Sequence, residues 1–523
     1  MILPLRRHGA IPWILLGMIL LVAATLRCRH LNRESFWIDE IYSVESALGH
    51  GFAHRALPFD TIISRPPPFF DPATAAPWWH IWSACTGKLT GDVHPPLPYM
   101  ILRGWCGMFG YSEIAIRCLS VLASLTAIIL LFLIGRDLHG TTPALWACLI
   151  MALAQPQLDY AQEAKHYALL EAMALTACLA LVRIEKQGGR PSYLVLLGIS
   201  AIAMLFTHYF AIPVMMALGL YALLRLRGAV RWHAIIALFM AAFLFGVTWS
   251  PSFLAQIRDT SDHVNYFLDR QSGFHLRWLQ RLAGACFRLL NEPLPGSDKP
   301  AYLFTIICIL PLLLIRRRPD LLLWAIWIPF VILFVAAVDL ARQTWLLALV
   351  RYTLLAGPAI YMVLAALGAR LKPPIMRHVL PLFAVLCCAI SLPISSGPHK
   401  TNFRGFARAI STHAAPGEMI AFCGTDLSKD DLLTYVAGVS YYLRPFPGPV
   451  IIVTHSPDAA LSTALRSHGR FCVISNGDDL HDLLPDAQIE ASRFFPGIGY
   501  LLDLRYSPSS AKPFTSASPP PAP

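Results

Sequence analysis

Charge is what this 523-residue sequence has least of. Asp, Glu, Lys and Arg together make up 14% of it, against about 25% in an ordinary soluble domain. That excludes a water-soluble globular protein, and a disordered chain needs more polarity still. No CxxC pair occurs. The twelve Cys fall mostly inside apolar runs, as Cys148, Cys178, Cys308, Cys387 and Cys388 do. There they read as small hydrophobes, and neither a zinc ribbon nor a disulfide scaffold is supported. No internal repeat is present, which weakens a repeat-built transporter. What the chain has instead is apolar residues, 56% of the total, with a mean hydropathy of +0.55. They come in blocks of membrane-spanning length. The net charge of +11 sits largely in short links between those blocks, where Lys and Arg set membrane orientation rather than bind nucleic acid. The composition is that of an α-helical polytopic membrane protein.

The first apolar run, Ile11 to Leu26, follows Arg6 and Arg7 and is followed by Arg27 and Arg29, with no small-residue cleavage site. It reads as a retained helix. Further runs lie near 114–135, 142–155, 167–183, 192–208, 209–225, 232–250, 300–315, 321–339, 352–369 and 376–395. The segment from Pro95 to Phe109 decides the topology. It is short, opens on prolines and carries Arg103 in its middle, and a central Arg costs about 2.5–3.5 kcal/mol on insertion scales. An interfacial helix is expected there. With that choice every basic link, from Arg6 and Arg7 through Arg136, Arg183, Arg225, Arg316 and Arg377, faces the cytoplasm, accompanied only by Asp137, Glu185 and Asp320. Eleven spans follow, with the N-terminus inside and the C-terminus outside.

The outer face then receives a first long loop (28–113), the 156–166 turn, a second long loop (251–299) and everything after about 396. Residues 1–395 form the membrane domain in this reading. Residues 396–506 form a small outer α/β domain, because GEMIAFCG, PVIIVTHS and FCVISN are strand-like and SPDAALSTALRSHGR is helix-like. The Ser/Pro-rich stretch 507–523 is expected to be disordered.

Candidate chemistry gathers in the outer segments. Asp39 and Glu40 follow Trp37 just beyond the first span. One reading makes them an N-cap pair for a helix beginning near Ile41. The other makes a carboxylate partly desolvated at the membrane surface into a general base. His94, held extended before two prolines, suits a metal ligand, a phosphate contact or a structural role. The turn QPQLDYAQEAKHYALL packs Asp159, Gln162, Glu163, Lys165, His166 and Tyr167 between two spans, more polarity than capping requires. His208 with Tyr209, and Arg351 with Tyr352, stand at span ends. Aromatic-belt and snorkelling behaviour would equally explain them.

Taken in order, WIDE, HPPLPYMILRGWCGMFGYSEIAIRCLSVL, YAQEAKHYALL, THYF and RYTLLAGPAIYMVLAALG resemble the bacterial GT-C glycosyltransferases. The nearest subgroup contains the lipid A aminoarabinose and galacturonic acid transferases and the protein O-mannosyltransferases. The resemblance implies an enzyme that takes a sugar from a polyprenyl-phosphate carrier to an envelope acceptor outside the inner membrane. It implies Asp39 as the base and Glu163, with Glu40, near a divalent metal. Donor contacts are expected from His94, Lys165, Arg351, Tyr352, Gln162, His208 and Tyr209. Val93 stands where the aminoarabinose transferases have an acid, and His263 is a spare candidate ligand. Partners are the lipid-linked donor, an acceptor and membrane lipids, without nucleic acid, nucleotide or organic cofactor. A flippase of lipid-linked sugars and an inactive scaffold are the rival readings. The flippase predicts ionisable residues at mid-membrane depth, whereas here they gather at span ends.

Overall fold

The computed structural model describes residues 10–29, 31–86, 94–268, 273–291, 298–314, 316–369, 371–392, 401–423, 429–443, 446–454, 470–475, 487–495 and 499–506. Arg6, Arg7, Val93, most of the helix-like stretch SPDAALSTALRSHGR and the 507–523 tail lie outside them. The chain divides into two compact units. One joins Met1–Arg33 to Pro77–Pro398, and the other joins Glu34–Ala76 to His399–Pro523. The division differs from the sequence-based boundary at 395, because part of the first long loop belongs with the C-terminal residues.

The first unit is helical. Among the described residues, six helices are long and apolar enough to cross a membrane: Ile11–Cys28, Glu113–His139, Tyr167–Gln187, Gly228–Gln256, Pro319–Arg342 and Pro374–Ser391. Shorter apolar helices cover Thr141–Leu153, Pro191–Leu205, Tyr209–Arg225, Phe304–Leu313 and Leu354–Gly368. Many carry large apolar side chains outward, among them Met18, Leu21, Phe239, Val247, Ile306, Leu313 and Ile390. Such a continuous apolar exterior is stable in lipid, not in water. Ser112 starts the Glu113–His139 helix by accepting from Ala115 N–H at 3.2 Å. Gly140, at φ +92°, reverses the chain into Thr141–Leu153, a backbone geometry that costs glycine least.

The acids in the basic links are all engaged. Arg183 reaches Asp137 at 2.7 Å, Arg225 reaches Glu185 at 2.7 Å, and Arg318 reaches Asp320 at 3.0 Å. The first two pairs join links that the charge count puts on one side. Leu97–Phe109 is a 13-residue helix whose buried face is Pro98, Tyr99, Leu102 and Cys106, while Met108 and Phe109 are exposed. Its Arg103 lies 4.8 Å from the Trp78 ring centroid, a cation–π contact.

The segment between the apolar runs, 251–299, contains helix. Gly228–Phe267 runs unbroken for 40 residues through Pro251, and Phe274–Arg288 follows. The polar residues after Gln256 mark where apolar character stops, not where the helix does.

The second unit is built on a five-stranded sheet of order β2-β1-β3-β5-β4: β1 Met419–Cys423, β2 Val450–Val453, β3 Arg470–Ser475, β4 Ala487–Phe495 and β5 Gly499–Tyr506. β1 pairs in parallel with β2 and β3, and β5 runs antiparallel to both β3 and β4. Residues 60–63 close the free edge of β2. Ile63 exchanges backbone hydrogen bonds with Val450, and Asp60 N–H reaches Ile452 O at 2.8 Å. An edge strand left open would template aggregation. The Ile38–Ala47 helix is tied to the same unit, since Phe36 N–H donates to the Tyr442 hydroxyl at 2.6 Å and Tyr42 pairs with Thr434 at 2.9 Å. These long-range bonds are why residues 34–76 leave the membrane domain.

Candidate active site

In the first unit three histidines from distant segments converge. Ring centroids of His94 and His166 are 4.7 Å apart, those of His94 and His208 5.1 Å, and those of His166 and His208 4.9 Å. One ring nitrogen of each lies within 4.8 Å of the others, and among the described residues no other His, Cys, Asp and Glu side chains group in this way. His166 and His208 are buried, each 4% exposed.

The local structure explains the convergence. Pro95 and Pro96 stiffen the approach to His94, and Leu97 N–H donates to the Phe206 carbonyl at 3.2 Å. That bond fastens the start of the Leu97–Phe109 helix beside His208. His166 is the residue preceding the Tyr167–Gln187 helix, at its positive end. The turn before it is anchored by polar groups that the sequence offered as site candidates. Gln162 Nε2 donates to the carbonyls of Leu26 and Arg29 at 2.8 and 3.1 Å, capping the end of the Ile11–Cys28 helix. Gln155 donates to Asp159 at 2.6 Å, and Gln157 to Glu171 at 2.8 Å. Arg27 is fully buried and donates to the carbonyls of Met151 and Ala152 at 3.2 and 3.1 Å. These are last-turn carbonyls that a helix end leaves without intrahelical partners.

Two cations complete the cluster. Lys165 and Arg351 act on both buried rings. Burial first, then the field of His94, Lys165 and Arg351, holds His166 and His208 well below the usual 6.5, with His208 adding to the effect on His166. Arg351 is delivered by a turn fixed from below. The buried Asp339 carboxylate accepts from Thr344 Oγ1 at 2.5 Å and from the N–H groups of Leu346 and Leu347 at 2.8 Å each. Val350–Tyr352 is consequently a 3-10 turn, and the α-helix expected from 352 starts at Gly357. The Arg351 guanidinium lies 5.1 Å from the Tyr352 ring centroid, and Tyr352 packs on Phe210 at 5.0 Å. Beside them is a small pocket. Its wall is polar at Tyr167, His208, Arg351 and Tyr352 and apolar at Leu170, Phe210, Leu354 and Leu355.

Tyr209 is used differently from the expectation. Its hydroxyl is bonded to Gln256 and accepts from Trp249 Nε1 at 2.9 Å, so it braces the Gly228–Phe267 helix. Glu163 is half-buried and stands outside the histidine group. His263 lies on that long helix, and its side chain is outside the described ones.

Asp39 and Glu40 belong to the second unit. The helix begins at Ile38 with Trp37 as its cap residue. Asp39 is therefore inside the first turn and is not the cap of a helix starting near Ile41. Glu40, fully buried, closes back on Trp37 N–H at 3.2 Å, which gives it a structural role at the helix start. Asp39 is half-buried. Further along, Glu45 holds His54, with Oε2 at 2.6 Å from Nδ1 and Oε1 accepting the His54 N–H at 3.1 Å, both side chains fully buried.

His166 is the member of the cluster that the sequence reading did not single out as a donor contact. Its only signal was its place in the crowded 159–167 turn. The convergence itself depends on contacts among residues 94, 166 and 208 that no local pattern encodes.

Residues 93–252 match the dolichyl-phosphate-mannose-protein mannosyltransferase family. No curated protein matches the chain. Among solved structures, ArnT from Cupriavidus metallidurans bound to undecaprenyl phosphate aligns over 97% of this chain and 100% of that one. Identity is 14% and the TM-score 0.53. The apo form of the same enzyme gives 0.55 at 13% identity, covering 95% and 98%. The oligosaccharyltransferase of Archaeoglobus fulgidus, tethered to an acceptor peptide, gives 0.50 at 12% identity, covering 94% of this chain and 74% of that one. At these identities the likeness is one of fold. The fold is that of the GT-C glycosyltransferases, multi-pass membrane proteins, which the loop motifs also resemble.

Proposed function

We propose that the chain is an inverting glycosyltransferase that moves a sugar from a polyprenyl-phosphate donor to an envelope acceptor at the outer face of a bacterial inner membrane. In this reading eleven spans carry the N-terminus inside and the C-terminal unit outside. Asp39 removes the proton of the acceptor hydroxyl, whose oxygen attacks the anomeric carbon. The C–O bond to phosphate breaks with its electron pair on the phosphate, which leaves ionised and needs no strong general acid. One base and no covalent nucleophile give inversion.

The observation that carries the reading is the cationic cluster beside a half-apolar pocket. Arg351 and Lys165 supply charge for the developing phosphate anion, and His94 and His208 offer contacts to its oxygens. Leu170, Leu354 and Leu355 form a wall suited to the first prenyl unit. Tyr352 stacks against Arg351 and fixes its guanidinium. Undecaprenyl phosphate in the ArnT structure and the protein mannosyltransferase match support a lipid-linked donor. Gln162 and Tyr209 serve this site indirectly, by anchoring the elements on which His166 and His208 stand.

The deciding experiment uses purified full-length protein with radiolabelled polyprenyl-phosphate sugar. Label on an acceptor, with release of free polyprenyl phosphate, is expected. Movement of intact donor across a vesicle membrane without release would instead make the protein a flippase.

A further inference from the structure

The pocket has two walls from separate stretches of chain. Tyr167 and Leu170 come from the start of the Tyr167–Gln187 helix, and Leu354 and Leu355 from the 3-10 turn that precedes Gly357. Glu171 follows Leu170 directly, and Gly357 opens the Gly357–Gly368 helix that carries Tyr361. One amide bridges the two. Gln157, on the short helix Gln155–Asp159, donates from Nε2 to Glu171 Oε1 at 2.8 Å and also bonds the Tyr361 hydroxyl. That hydroxyl gives its own proton to the Leu289 carbonyl at 2.7 Å, so it accepts from Gln157, whose amide nitrogen has two protons to give. Gln157, Glu171 and Tyr361 are all buried. Gly357 shows how close the approach is. Its φ is −53°, an ordinary helical value, so the backbone does not call for glycine. A Cβ there would lie 2.9 Å from the Tyr361 hydroxyl oxygen and 3.1 Å from Gln157 Nε2, too near for either to stay in place. Glycine is needed for space.

We propose that Gln157 is a positioning residue, whose amide clamps the Tyr167–Gln187 helix to the Gly357–Gly368 helix and thereby sets the separation of the pocket's two walls. Apolar packing holds helices together in lipid without fixing one arrangement, whereas buried directional hydrogen bonds specify it. The hold on Glu171 passes through Oε1 alone, because Oε2 is buried without a hydrogen-bond partner. Two unlike changes should then have the same consequence. Gln157→Met keeps the length of the side chain and removes both donors. Gly357→Ala keeps both donors and drives a methyl group between them. Either one shifts the walls that must meet a bound molecule together, and displacements of about 1 Å are enough to matter.

The inference rests on the transferase reading only for what fills the pocket. Its test uses the full chain in detergent and two readouts. Hydrogen exchange without ligand follows the amides of residues 160–167 and 346–356, which are expected to exchange ~10-fold faster in Gln157→Met and in Gly357→Ala. Farnesyl phosphate serves as a short lipid-phosphate probe, and its Kd is expected to rise ~10-fold in both variants. Glu171 supplies the conservative comparison. In Glu171→Gln the amide oxygen still accepts from Gln157, so this variant should keep most of the affinity that Glu171→Met loses. Equal loss in the two would assign the effect to the charge of Glu171 facing Arg27 and overturn the clamp. Exchange and affinity at wild-type values in Gly357→Ala would overturn it as well. If Gln157→Met fails to insert, Gly357→Ala and the Glu171 pair decide. A native protein that does not bind farnesyl phosphate sinks the lipid-linked donor and leaves the clamp to the exchange rates. Native binding with exchange unchanged in both variants does the reverse.

Discussion

The two units treat buried histidine in opposite ways. In the second unit His54 is fully buried and so is its counter-group, Glu45, which takes both the ring Nδ1–H and the backbone N–H. Tyr42 stacks on the ring at 5.0 Å. In the first unit His166 and His208 are buried, and the charges of Lys165 and Arg351 act on both rings. One arrangement contains its own acceptor. The other sets two buried rings in the field of two cations. Burial alone thus says little about function, whereas the sign of the neighbouring charge separates a strut from a binding site.

The comparison breaks first at the helix that carries both Glu45 and Asp39. If Ile38–Ala47 is only a strut, Asp39→Asn is harmless, because Asn keeps the shape and Asp39 is not the cap. If Asp39 is the base, turnover falls by roughly 10²–10⁴-fold with thermal stability unchanged. Single-turnover rates on folded, inserted protein give the answer. Glu45→Ala should act through stability instead. It orphans two buried donors, at about 1–3 kcal/mol each, and lowers the melting temperature. Farnesyl phosphate affinity should stay at the wild-type value in the fraction that remains folded.

Arg351 tests the other side. A snorkelling Arg needs only a charge on a long stem, and Lys would replace it. A phosphate clamp uses the planar fork that Lys lacks. Arg351→Lys is expected to weaken donor use by roughly 10-fold in kcat/KM, with a smaller effect from Tyr352→Phe, which keeps the ring facing Arg351. Unchanged kinetics in Arg351→Lys would make the residue an interfacial anchor.

How far the sequence could be read follows from the range of the interactions involved. The apolar runs and basic links are local signals, and helices occur at each of those runs. The helix through residues 251–267 is not legible as such, since apolar character stops near Gln256 while the helix runs on through Pro251 to Phe267. The union of 34–76 with the C-terminal sheet is illegible in the sequence, since it depends on pairings such as Asp60 with Thr454, 394 residues apart. Strands β4 and β5 were passed over too, as their alternation is weak and they follow the strand-like runs that drew attention. At the site, His94, Lys165, His208 and Arg351 were chosen for chemistry and placement. His166 was seen but not selected, because nothing local says that three isolated histidines share a pocket.

The smallest expected effect concerns acid stability, and its sign follows from the same contrast. His166 and His208 are held neutral, well below 6.5, by burial and by the charges around them. Above about 6.5 the unfolded chain is also neutral at these positions, so neither group makes stability depend on pH. As pH falls below 6.5 the unfolded chain takes up protons that the folded chain does not. Stability then declines by up to about 1.4 kcal/mol per pH unit for each ring, until the lowered folded values are reached. The groups facing these rings are His94, Lys165 and Arg351. A bound phosphate dianion would add negative charge and raise both rings toward protonation. Farnesyl phosphate should therefore flatten the decline as well as lift the melting temperature. The measurement is melting temperature from pH 7.5 to 5, with and without farnesyl phosphate, for wild type and for His166→Gln/His208→Gln. The double variant should lose most of the slope below 6.5. A slope identical in both proteins, or one that farnesyl phosphate steepens, would mean that these two rings do not carry the acid-side loss of stability assigned to them.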